Sequence, residues 1–213
     1  MISFHLCYDL QYFNFYNFHI TSNPFFLNYR LVIVNLFLFI VGISLVLANK
    51  SGLNWQKIGK RTLTLAAASF AISIVTFFIF PNTWVYFGVI HFILVASILA
   101  LPFLKHPFIA LLTSLILTLL YFSGYINMHP LFNTLMPILH LPKHHTEDLV
   151  PLVPWFSTVL LGVAFAAFGW HKIFDIKSNY LIEKLAYIGK HALLIYLIHQ
   201  PILFAILYLI RFF

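Results

Sequence analysis

His5 and Asp9 sit four residues apart in the opening stretch, MISFHLCYDLQYFNFYNFHITSN, so a helix would stack them on one face one turn apart. A carboxylate beside an imidazole is an arrangement for general acid–base work, because it orients the ring and raises its basicity. The same stretch carries Gln11, Asn14, Asn17 and His19. Two more imidazoles lie inside apolar runs: His91, with Gly88 one turn earlier, and His199, between Tyr196 and Gln200-Pro201. Ionisable groups in apolar helices cannot face lipid, at a cost of roughly 2.5–3.5 kcal/mol each. The expectation is that His5, Asp9, His199 and His91 turn toward other helices or a shared hydrated pocket. Hydrogen-bond glue between helices is the competing role, foremost for His91. A histidine at the end of a helix, such as His19, is commonly just solvated.

The composition demands a membrane. Of 213 residues, 62% are hydrophobic and 8% charged, so a soluble globular domain is excluded. About seven runs approach the ~20 apolar residues that cross a bilayer. They cover 1–18, 29–48, 62–80, 84–101, 107–126, 152–169 and 191–210. The expected fold is an all-α integral membrane bundle forming one membrane-embedded domain over 1–213. Its first helix is short enough to read as truncated, and Pro201 is expected to interrupt the last. Gly42 and Ser44 in the second run are small enough for a neighbouring helix to approach closely. No internal repeat argues for an inverted-repeat transporter. The single cysteine, Cys7, cannot form an internal disulfide, and no basic leader precedes an apolar cleavage region.

Charge gives orientation. Lys50, Lys57, Lys60, Arg61, Lys105, Lys172, Lys177, Lys184 and Lys190, nine of the twelve basic residues, fall on one side of this scheme. That side is read as cytoplasmic, which leaves the C-terminus outside. These cations are first of all topological anchors, and the densest group, Lys57, Lys60 and Arg61, is the candidate site for a phosphorylated cofactor. No basic stripe with interleaved aromatics points to nucleic acid. His140, His144, His145 and Glu147 spell H-x-x-x-H-H-x-E in the 127–150 loop, but no cysteine accompanies them. Pro137 and Pro142 argue against a single helix holding them, so no metal is expected.

MISFHLCYDL, FLFIVGISLVLA, YFGVIHFILVASILALPF, DLVPLVPWFSTVLLGVAF and LAYIGKHALLIYLIHQPIL, in that order, resemble the heparan-α-glucosaminide N-acetyltransferase catalytic-domain family, in its small bacterial branch. The family's usual Asp and Arg-Gly motif upstream of the first-helix methionine is absent. The resemblance implies a bacterial inner-membrane protein that takes acetyl from cytosolic acetyl-CoA to an amine or hydroxyl of an envelope sugar. It implies a catalytic histidine in the loop after the first helix, for which His19 is the best match, and an active-centre position at His5. The candidate catalytic residues are therefore His5, Asp9, His19, His199 and His91. Imidazole serves as base or as acyl carrier. Lys57, Lys60 and Arg61 are the candidates for the CoA phosphates. The expected partners are membrane lipid and a glycan or small sugar acceptor, without nucleic acid, and with a homo-oligomer as an option. A proton-coupled permease, whose buried His and Asp would relay protons, and a non-catalytic membrane protein are the alternatives.

Overall fold

The computed structural model describes residues 1–126, 129–139, 141–142, 146, 148–174 and 179–212. His140, His144, His145 and Glu147 of the histidine-rich loop lie outside them. The helices are α1 (Ile2–Tyr12), α2 (Pro24–Ala48), α3 (Trp55–Ile79), α4 (Val89–Leu99), α5 (Pro107–Phe122), α6 (His129–Leu139), α7 (Leu152–Ala167), α8 (Tyr180–Lys190) and α9 (Ala192–Phe212). Short 3-10 turns cover Leu101–Lys105 and Trp170–Phe174. The described chain is a helical membrane protein. Helices α2, α3 and α9, of 25, 25 and 21 residues, are long and apolar enough to cross a bilayer; α4, α5 and α7 are shorter apolar helices.

The chain packs as two compact units, Met1–Val34 with Asp175–Phe213, and Asn35–Phe174. In the first unit α1 packs against α9. It ends at Tyr12 rather than reaching residue 18, because Asn14 turns into left-handed backbone (φ 61°). The chain then folds back, and Gln11 Oε1 accepts the Ile20 N–H at 3.1 Å. Phe13 and Phe204 close the contact between α1 and α9 with ring centroids 5.2 Å apart. Pro201 does not interrupt α9, which runs through it as one helix. Proline removes a single backbone donor, and the apolar residues on both sides keep the helical ladder going.

The second unit is built around α7, whose Phe156, Val159, Leu160, Val163 and Ala164 are buried. α5 lies along it, pinned where Ser114 Oγ donates to the Ser157 carbonyl at 2.7 Å. The second half of α2 meets α7 backbone to backbone. A methyl on Gly42 would overlap the Val159 carbonyl, and one on Gly162 would overlap the Phe39 carbonyl. The small-residue approach expected at Gly42 is thus present, with Gly162 as its partner. α3 starts at Asn54, whose Oδ1 accepts the Lys57 N–H at 3.0 Å. α4 begins at Val89, five residues later than the apolar run. Residues before it pair with distant residues instead: Phe87 bridges Leu149, and Thr146 Oγ1 donates to the Trp84 carbonyl at 2.7 Å. Large apolar side chains such as Phe78, Phe108 and Phe122 remain exposed on the long helices, as lipid-facing residues do.

Candidate functional site

In the first unit α1 and α9 bring four polar side chains together. Asp9 is fully buried and His199 nearly so. Gln200 Nε2 donates to Asp9 Oδ1 at 2.7 Å. His5 lies one turn before Asp9, and its ring centroid is 4.9 Å from that of His199, in edge geometry. The carboxylate is therefore not bonded to His5: Oδ1 is held by Gln200 and Oδ2 has no hydrogen-bond partner. Spacing along α1 puts His5 and Asp9 on one face, but a residue of α9 reaches the carboxylate.

The bonding pattern fixes what each atom offers. His199 Nδ1 lies 2.6 Å from the Tyr196 carbonyl oxygen, which can only accept. Nδ1 therefore carries a proton and donates, which leaves Nε2 as the ring atom open to exchange. That Nε2 is buried without a partner, as are Asp9 Oδ2 and Gln200 Oε1. Three buried side-chain atoms, one on α1 and two on α9, are thus left without a hydrogen-bond partner. A buried acceptor left unpaired costs about 1–3 kcal/mol, more if charged. Native structures concentrate such debts where a ligand or water is bound.

The other histidines behave differently. His19 is exposed in the loop after α1, with positive φ (50°), and its backbone N–H donates to Asn17 Oδ1 at 3.1 Å. His91 belongs to the second unit. Its Nδ1 accepts the Gly88 N–H at 3.3 Å, which leaves the proton on Nε2. Nε2 then donates to Ser73 Oγ at 2.9 Å, and Ser73 donates to the Val85 carbonyl at 2.8 Å. Asp148 completes the start of α4, its Oδ2 accepting the Val89 N–H at 2.9 Å. A Cβ at Gly88 would lie 2.5 Å from Asp148 Oδ2, so any larger residue there displaces that carboxylate. Both nitrogens of His91 are committed to holding that corner.

The second unit also carries a basic cleft of about 630 Å³. Lys50, Lys105, Lys172, His106 and His171 line it, drawn from the ends of α2 and α7, the start of α5 and the two 3-10 turns. A smaller pocket of about 70 Å³ shares Asn49 and Leu101 with it and is lined by Lys57, Arg61, Thr62 and Ser97. Of the candidate phosphate ligands, Lys57 and Arg61 therefore line a pocket, while Lys60 lines neither. Among the described residues no group of three His, Cys, Asp or Glu side chains is arranged to hold a metal ion.

A family model described as heparan-alpha-glucosaminide N-acetyltransferase, catalytic, matches residues 1–201. The chain belongs to that family. No curated protein and no solved structure matches it. The family match makes the chain a membrane acetyltransferase-type protein, with acetyl-CoA as the donor the family uses in general. The matched range of this acetyltransferase-family chain spans both His5–Asp9 and His199–Gln200, and all the cleft residues. Gln200 is the candidate residue that spacing alone underrates. Its signal was a polar His-Gln pair inside an apolar span, where neither side chain can face lipid. Lys50, Lys105 and Lys172 were legible only as anchors of one sign, because five separate segments bring the cleft together.

Proposed function

We propose that this protein transfers acetyl from cytosolic acetyl-CoA to an amine of an envelope sugar at the bacterial inner membrane. The observation that carries the reading is the set of three unpaired acceptors, Asp9 Oδ2, Gln200 Oε1 and His199 Nε2. A sugar hydroxyl brings one hydrogen to such a set, whereas an amine or ammonium brings two or three. The set therefore fits an amine better than a hydroxyl.

In this reading Asp9 and Gln200 orient the amine. As its nitrogen attacks the thioester carbonyl, the N–C bond forms and the C–S bond breaks. The nitrogen gives up one proton to His199 Nε2, which passes it to the departing CoA sulfur so that CoA leaves as the thiol. His5, edge-on to His199, is the second imidazole, able to share that proton or to carry the acetyl group. The basic cleft of the second unit supports donor binding, since lysines and histidines suit the phosphates of CoA.

The test is turnover in membranes with matched acceptors. Amino sugar should consume acetyl-CoA and yield an amide, and the hydroxyl analogue should react at least tenfold more slowly. Sugar flux that needs no acetyl-CoA would instead make the buried His and Asp a proton relay of a permease.

A further inference from the structure

Arg61 lies half-buried on α3, yet among the described residues it has no ion pair or hydrogen bond through its guanidinium. Ser97 of α4 lines the same small pocket; it is 7% exposed and its hydroxyl has no partner. Arg61 and Ser97 line the same pocket, and neither side chain has a protein hydrogen-bond partner among the described residues. One tetrahedral anion would satisfy both, since guanidinium binds phosphate through paired N–H bonds and the hydroxyl adds a third donor. Lys57, four residues before Arg61 on the same face of α3, adds a second positive charge at the pocket's edge.

Size narrows the occupant. The pocket, at about 70 Å³, suits a single phosphate group, whereas the adjoining cleft of about 630 Å³ has room for a diphosphate and more. The two share Asn49 and Leu101, so one molecule with phosphates at two places could occupy both. We propose that the Arg61–Ser97 pocket receives the lone ribose phosphate of the acyl donor, while the lysines of the larger cleft receive its diphosphate. This rests on acetyl-CoA being the donor. It assigns the pocket a role in selecting a 3′-phosphorylated nucleotide over its dephosphorylated form.

The experiment measures binding of acetyl-CoA and acetyl-3′-dephospho-CoA to the full chain in lipid nanodiscs, with melting curves as the check on folding. The wild-type chain should favour the 3′-phosphorylated donor by roughly tenfold or more. Arg61→Gln should bring the ratio close to one while leaving the dephospho form within about twofold of its wild-type affinity. Ser97→Ala, which removes only the hydroxyl, should lower the ratio a few-fold and carries the test if Arg61→Gln fails to fold. Equal affinity of the wild-type chain for both donors would overturn the pocket assignment and leave acetyl transfer standing. Binding of neither donor would overturn acetyl transfer itself, and the assignment with it. Loss of the preference when phosphatidic acid is added to the nanodisc, with Arg61-dependent stabilisation by that lipid, would give the pocket to a lipid headgroup instead.

Discussion

His199 and His91 are both helix-borne imidazoles in apolar surroundings, and they differ in what is left over. His91 uses both nitrogens, one toward Gly88 and one toward Ser73, and its network ends on backbone groups. His199 uses one, and its Nε2 has no partner, as is true of Asp9 Oδ2 and Gln200 Oε1. The first arrangement is complete within the protein and holds a helix start. The second leaves three buried polar atoms without a partner. A polar residue in a membrane helix therefore says little by its type; the atoms it leaves unsatisfied tell structure from chemistry.

The largest expected effect comes from emptying the incomplete set. Asp9→Asn keeps the shape but replaces an acceptor oxygen with an amide donor, and should lower acetyl-CoA turnover by ~100-fold or more. The protein should still melt as a folded species in detergent. Turnover at wild-type level in that variant would erase the distinction drawn here. Next in size is Gly42→Leu, which forces a side chain into the α7 backbone at Val159. It should cost about 3 kcal/mol or more and show as loss of the second unit's melting transition.

His91→Ala sharpens the comparison from the other side. It strands Ser73 and the Gly88 N–H, so a loss of about 1–3 kcal/mol in stability is expected. Turnover per folded molecule should hold, as assayed on a monodisperse fraction. The smallest effect belongs to Asn54→Ala at the start of α3, about 1 kcal/mol from the lost cap, read as a small drop in Tm.

These differences also mark how far the sequence could be read. The membrane bundle followed from apolar runs, and the run beginning at residue 107 starts where α5 does. Helix periodicity put His5 and Asp9 on one face. It could not reveal Gln200 as the partner of Asp9, because 191 positions separate them and only the packing of α1 on α9 joins them. Nor could it shorten α4, since that depends on Thr146 and Leu149 pairing with Trp84 and Phe87. Pro201 looked like a break because local rules count the lost hydrogen bond and not the helix on either side.

The most direct test pairs the two histidines in one assay. His199→Ala and His91→Ala would be purified into the same lipid nanodiscs, and acetyl transfer from acetyl-CoA to an amino sugar measured per folded molecule. The account predicts that His199→Ala loses transfer by ~100-fold or more while His91→Ala loses only thermal stability. Equal, near wild-type transfer by a folded His199→Ala chain would contradict it.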